Sequence, residues 1–126
     1  MRTHTLTAMT AALVFLIGGP AHAEGDAAKG EKVFAKCKTC HEIATAKNKV
    51  GPTLHGVIGR KAGTVEGFKY SEAMINSGVT WEVNTIAEYV AKPKEFIAGN
   101  KMAFAGLKKE DEIENLLAYI QASCCT

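Results

Sequence analysis

The 126-residue chain has little that would bury it in a membrane or tie it to a strongly charged partner. Its apolar stretch near the start, Ala11 to Ile17, is far shorter than the ~20 residues a bilayer-spanning helix needs. The formal charge is only +2, from 15 Lys+Arg against 13 Asp+Glu, so no excess of one sign marks nucleic acid as a partner. Repeats, low-complexity tracts and linkers are missing, which leaves one small domain over residues 24–126. Metal-ligating side chains are scarce as well. Beyond residue 23 there are two histidines, His41 and His55, and two methionines, Met74 and Met102.

The first 23 residues have the pattern of a secretory signal. Arg2 precedes the apolar run, and Gly18-Gly19-Pro20 leads to Ala21-His22-Ala23, a small-x-small cleavage site. Cleavage after Ala23 leaves Glu24 first and predicts a periplasmic protein.

The densest chemical signal is Cys37-Lys38-Thr39-Cys40-His41, the attachment signature of a covalent haem c. Two thiols at this spacing reach two vinyl groups on one porphyrin edge. On a helical turn Cys37 and His41 stand at i and i+4, on one face, so the same pentapeptide tethers the macrocycle and offers its iron an imidazole. A thioredoxin-like dithiol would need a βαβ setting and leaves the histidine unexplained. A zinc site would want a second Cys or His pair, and none follows.

The rest of the chain reads as helices and loops. Gly25-Asp26 caps a helix over Ala27 to Lys36 that runs into the haem motif. Asn48 to Gly67 is rich in glycine and lacks periodicity, as an extended loop would; a haem can replace secondary structure as core there. Short helices follow at Ser71 to about Ser77, at Asn84 to Ala91, and from Pro93 to Ile97. The last, about Lys109 to Ala122, sets Ile113, Leu116, Leu117 and Ile120 on one side with acids in its first turn. Acids gather at Glu110-Asp111-Glu112 and Glu114, whereas lysines fall near the segments expected around the haem, which suggests a basic docking face.

Met74 sits in a helical pattern, where methionine is most often core filler. Met102 lies in Gly99-Asn100-Lys101-Met102-Ala103-Phe104-Ala105-Gly106, a glycine-bracketed loop able to cross the opposite haem face, and is the favoured sixth iron ligand over an open site. His55, beside Gly56, reads as a surface loop residue.

Cys37-Lys38-Thr39-Cys40-His41, Gly51-Pro52-Thr53-Leu54-His55-Gly56, Gly59-Arg60-Lys61, Gly67-Phe68-Lys69-Tyr70, Trp81 and Lys101-Met102-Ala103-Phe104 occur in this order. With them the chain resembles class I cytochrome c, bacterial cytochrome c2 and mitochondrial cytochrome c above all, from Gly25 to about Ala122. The resemblance implies a small all-α fold of four or five helices and long loops around one haem. It implies that Cys37 and Cys40 hold the haem covalently and that His41 and Met102 ligate iron. It implies that the Pro52 carbonyl accepts from the His41 ring, that Arg60, Tyr70 and Trp81 bury and hydrogen-bond the propionates, and that Asn76 and Tyr89 are polar groups near the haem and the methionine sulfur. Gly30 and Phe34 match positions packing on Leu116 and Tyr119. Asn100 and Ala98 depart from the mitochondrial pattern, which predicts a looser Met102 loop, and Asn48 stands in place of a histidine.

The implied function is a soluble one-electron carrier and not an enzyme. Its donor would be a bc1-type complex, and its acceptor an oxidase, a peroxidase or a photosynthetic reaction centre, met in peripheral membrane encounters through Lys36, Lys49, Lys94, Lys101 and Lys108. A haem protein that binds ligands or peroxide through a labile sixth position is the alternative. The tail Ser123-Cys124-Cys125-Thr126 lies outside the family pattern and reads as frayed. Adjacent cysteines sit too close for easy pairing, so a monomer is expected, with a disulfide dimer through Cys124 or Cys125 as the functional possibility.

Overall fold

A computed structural model describes residues 25–126, so the expected signal segment lies outside the described residues. Among the described residues five helices follow one another: α1 Ala27–Lys38, α2 Glu72–Ile75, α3 Val83–Ala91, α4 Pro93–Phe96 and α5 Glu110–Ser123. Among the described residues the only β-pairing is an isolated bridge between Lys61 and Thr80. The all-α expectation therefore holds, with helix ends shifted by one or two residues.

Local chemistry explains the helix starts. The Asp26 carboxylate accepts from the backbone N–H groups of Ala28 and Lys29 at 2.8 and 3.1 Å, satisfying two donors that the first turn leaves open. Ser71 does the same for Met74 at 3.1 Å. At α3 the Glu82 N–H donates to Thr85 Oγ1 at 2.8 Å as half of a capping box. Glu110, Asp111 and Glu112 place negative charge at the positive end of α5.

The frame is the crossing of α1 and α5. Gly30 is buried at the crossing, and a Cβ there would overlap the Asn115 carbonyl of α5. Beside it Phe34 is 2 % exposed and stacks on Tyr119 with ring centroids 5.0 Å apart, while Leu116 is 1 % exposed. Burial of one such aromatic contributes about 1.5–3 kcal/mol. The Asp26 N–H also donates to the Asn115 side chain at 2.7 Å, pinning the start of α1 to the middle of α5.

Residues 39–71 form no helix and are held by side chains bonding to backbone. Asn48 accepts from the Thr53 N–H and donates to the Glu66 carbonyl, each at 3.0 Å, tying two limbs of the loop together. Buried Thr53 donates its hydroxyl to the Thr45 carbonyl. Gly56, Gly59, Gly63 and Gly67 all take positive φ, which is why glycine recurs along a segment without periodicity.

The tail departs from expectation. Helix α5 continues to Ser123, and Cys124 is 0 % exposed, its N–H bonded to the Ile120 carbonyl at 2.8 Å and its carbonyl accepting from Gly56 N–H at 2.7 Å. The segment is docked by burial of Cys124 and leaves only Cys125 and Thr126 exposed. Cys124 pairs with Cys125 across a Cα separation of 3.7 Å, so neither thiol is free to bridge two molecules. The physical reason is that α5 runs on to Ser123 and its C-cap Cys124 sits in the core, with its adjacent cysteine as the partner in the disulfide.

Trp81 and Tyr89, 8 % and 9 % exposed, stack at 5.0 Å, and Phe96 extends the cluster from Tyr89 at 6.2 Å. Burial pushes the Tyr89 phenol up to about 12, because the phenolate loses its hydration there.

Two outcomes follow from this packing. Gly30→Ala should destabilise the haem-loaded protein by about 1–3 kcal/mol in urea denaturation, whereas Lys32→Ala on the exposed face of α1 should stay within about 0.5 kcal/mol; equal effects would refute the close crossing. The raised Tyr89 pKa means that the native fold holds its proton more tightly than the unfolded chain. Its contribution is therefore intact below the ordinary tyrosine pKa of 10.0 and is lost as pH rises through about 12. Denaturation midpoints should fall more steeply across that window in the parent than in Tyr89→Phe.

Candidate haem site

The haem motif begins in the last turn of α1. Cys37 is its penultimate residue, and the backbone turn continues past the helix because Cys40 and His41 N–H both bond to the Cys37 carbonyl, at 3.0 and 2.9 Å. The bond from His41 is the i to i−4 bond that the spacing requires, so Cys37 and His41 share a face. Cys37, Cys40 and His41 line one cavity of about 370 Å³, walled by residues from α1, the 50–60 loop, α2, α3, the 101–104 loop and α5. That volume falls within the range of small-molecule and cofactor pockets.

The proximal side is built around His41. Its Nδ1 lies 2.7 Å from the Pro52 carbonyl, which can only accept, so Nδ1 carries the proton and Nε2 keeps its lone pair. Burial lowers the His41 pKa; the Pro52 bond opposes that, and Lys49 and Arg60 add to it. The imidazole is thereby kept neutral, the form that ligates metal. Gly51 leaves room for the ring, since a Cβ there would overlap it, and Gly51 N–H bonds to the Cys40 carbonyl at 2.8 Å. Lys49 Nζ adds a third tie, to the Lys38 carbonyl at 2.6 Å.

Burial pushes the Cys37 thiol up to about 11, with Lys36 partly opposing the shift. On the order of one such thiol in ten thousand is ionised at pH 7. The folded chain does not activate its own attachment cysteine.

The other wall carries Met102, flanked in the lining by Lys101, Ala103 and Phe104. Asn100 sets this loop: its Nδ2 donates to the Pro93 and Ile97 carbonyls at 2.8 and 2.9 Å, and its Oδ1 accepts from Met102 N–H at 2.9 Å. The looseness expected from an asparagine at this position is not what the structure shows. An amide spans three backbone groups at once and fastens the loop to α4.

Pro52, Arg60, Tyr70, Trp81 and Tyr89 join the lining, as the resemblance implies. Arg60 commits its guanidinium to the Thr53 carbonyl at 2.8 Å and the His55 carbonyl at 3.1 Å, and the Tyr70 hydroxyl accepts from Val65 N–H at 3.2 Å. Asn76 does not join them. It caps the C-terminus of α2, exposed, and Ser71 and Met74 are the residues of that segment which reach the cavity. Met74 is partly buried, packs against the core and lines the cavity, and nothing in a helix of four residues signals which side faces in. His55 is half-buried, with Nδ1 at 3.2 Å from the Ile43 carbonyl, and lies outside the lining.

The five lysines divide. Lys36 and Lys101 line the cavity, but Lys36 is paired with Glu112 at 3.5 Å. Lys49 is tied to the Lys38 carbonyl, and Lys94 and Lys108 are exposed away from the lining. Lys69 and Val50 also reach the lining, although no local pattern in the sequence marks them, and Val50 is a large apolar side chain that is 79 % exposed.

A covalent haem fits these residues. Two thiols stand one turn apart on one wall, a neutral imidazole with a free Nε2 follows them, a thioether sulfur shares the cavity, and the remaining lining is mostly aliphatic and aromatic. Among the described residues no cluster of three or more His, Cys, Asp or Glu side chains offers an alternative metal site.

Known proteins agree with that fit. The Cytochrome c family matches residues 27–123. Cytochrome c2 of Blastochloris viridis is 53 % identical over 103 residues, 81 % of this chain and 80 % of that protein. Cytochrome c-550 of Nitrobacter winogradskyi is 52 % identical over 97 residues, 76 % of this chain and 89 % of that protein. The solved structure of cytochrome cH from Methylobacterium extorquens superposes with a TM-score of 0.74 at 43 % identity, covering 79 % of this chain and all of that one. The chain belongs to the cytochrome c family and carries that family's cofactor, one covalent haem c.

Proposed function

We propose that this protein is an exported, periplasmic one-electron carrier that shuttles between membrane redox complexes. The observation that carries the reading is the convergence of Cys37, Cys40, His41 and Met102 on one apolar cavity. Cys37 and Cys40 would hold the haem by thioethers, and His41 Nε2 and Met102 Sδ would ligate its iron. Bound there, the haem supplies a ferrous–ferric couple whose potential His/Met ligation raises. The protein keeps the reaction to electron transfer by what its own residues do. Pro52 orients the imidazole and strengthens it as a donor. Asn100 holds the Met102 loop in place, and the Trp81–Tyr89 stack excludes water. Arg60, Tyr70 and Trp81 would receive the propionates. Asn76, exposed at the end of α2 and outside the lining, is left out of the role near the methionine sulfur that the resemblance gives it.

The partners fitting such a carrier are a bc1-type quinol oxidoreductase as donor and an oxidase, peroxidase or reaction centre as acceptor. No helix of the described residues is long and apolar enough to cross a membrane, so contact with those complexes would be peripheral. The ligand-binding alternative would require a mobile Met102 segment, and the three Asn100 bonds weigh against it.

A potentiometric titration of the visible spectrum tests the ligation. The expected result is one reversible, low-spin, one-electron transition at positive potential, and a fall in potential with a high-spin ferric form in Met102→Ala; a high-spin parent would move the reading to the ligand-binding alternative. Docking has its own readout. Electron transfer to an acidic acceptor should slow as ionic strength rises, and Lys101→Glu should slow it more than Lys94→Glu, because Lys101 lines the haem cavity and Lys94 lies outside its lining. A rate indifferent to salt would refute a charge-steered encounter.

A further inference from the structure

Cys124 and Cys125 take no part in the haem site, yet their placement is asymmetric. Cys124 is fully buried in the core cluster, whereas Cys125 is exposed at the end of the chain. We propose that the Cys124–Cys125 pair is a thiol–disulfide exchange site, open at Cys125 to a small aliphatic thiol, and that its state controls how firmly the end of α5 holds the loop at Gly56.

Access sets the direction of attack. Exchange needs a thiolate to approach one sulfur in line with the disulfide, and burial closes Cys124 to that approach. The incoming thiolate therefore bonds to Cys125 Sγ, the bond between the two cysteines breaks, and Cys124 Sγ leaves as a thiolate that takes a proton from water. A second thiolate attacks the incoming sulfur of the mixed disulfide, releasing the small disulfide and the Cys125 thiol. Net, two electrons and two protons reduce the pair while two small thiols become one disulfide; the same steps in reverse restore it.

The consequence runs through the backbone. The pair closes a small ring that contains the Cys124–Cys125 peptide bond, and the carbonyl of that bond accepts from Gly56 N–H at 2.7 Å. Opening the ring restores rotation at the end of the chain and weakens the hold on that carbonyl. Gly56 stands between Leu54 and Val57, both in the cavity lining, and the Val57 carbonyl accepts from Arg60 N–H at 3.1 Å. The exchange site thus communicates with the wall that carries Arg60.

The test uses the haem-loaded protein with ascorbate keeping iron ferrous in every arm. Untreated protein should show no alkylation by iodoacetamide at its C-terminus, glutathione should add once, at Cys125, and dithiothreitol should open both thiols to alkylation after denaturation. Amide hydrogen exchange at Gly56 should quicken about tenfold or more on reduction, with α3 amides unchanged. Cys125→Ser should exchange at Gly56 like the reduced parent and accept no glutathione. Free thiols in the untreated protein, glutathione on Cys124, a disulfide dimer on a non-reducing gel, or equal Gly56 exchange in both states would each overturn the proposal.

Discussion

The structure depends on the close crossing of α1 and α5. Where α1 meets α5 at Gly30 fixes the axis along which α1 runs, and the end of that axis is where Cys37 enters the cavity wall. Leu116 and Ile120, on the inward face of α5, line the cavity as well, so the helices that carry the frame also form part of the site. A larger residue at the crossing would move the attachment cysteine and the wall opposite it together. Chain this short buries a limited apolar surface, and much of what it buries faces the cavity instead of another helix. The domain is therefore a shell whose centre is completed by its cofactor, a situation in which binding free energy becomes folding free energy.

That constraint explains why the 39–71 segment works without secondary structure. Each limb is tied by polar side chains to backbone groups: Asn48 to Thr53 and Glu66, Thr53 to Thr45, Arg60 to Thr53 and His55. Buried backbone groups need partners, and where no helix or sheet supplies them, side chains must. Asn48 serves this purpose with a group that does not titrate between acid and neutral pH, so the bridge between the two loop limbs is insensitive to protonation there. Among the described residues no buried side-chain nitrogen or oxygen is left without a partner.

Helices and haem motif were legible because their signals are local. Asp26 caps within two residues of the first helical position, acids fill the first turn of α5, and the Cys37–His41 spacing is itself an i to i+4 relation. What escaped the sequence depended on distance. Met74 lies in α2 and Asn76 caps it two residues on, and only the packing of that short helix decides which of them reaches the cavity. Lys36 looks like any exposed lysine until α5 brings Glu112 to 3.5 Å. Asn100 reads as a loosening substitution by comparison with relatives, yet its amide bonds groups seven residues back and two residues on. Cys124 follows the same rule: its carbonyl accepts from Gly56 N–H, 68 positions earlier, and no feature of the last four residues announces that docking.

The electrostatics of the site divide it into two sides with different tasks. Around His41, burial and two nearby cations favour the neutral imidazole, and the Pro52 carbonyl orients it before any metal is considered, which is what a ligand of fixed strength requires. In the cavity lining, Lys101 and Lys69 remain without an ion-pair partner among the described residues, and Val50, 79 % exposed, adds an apolar side chain to the same lining. Charge at such a rim governs the rate and orientation of encounter, while a small apolar contact keeps the complex weak enough to part. A carrier needs both, because a partner held tightly would halt turnover as surely as one that never docked. Lys36 and Lys49 show the cost of using one residue type for two purposes: the geometry commits them to Glu112 and to the Lys38 carbonyl, so they hold the haem turn in place more than they steer.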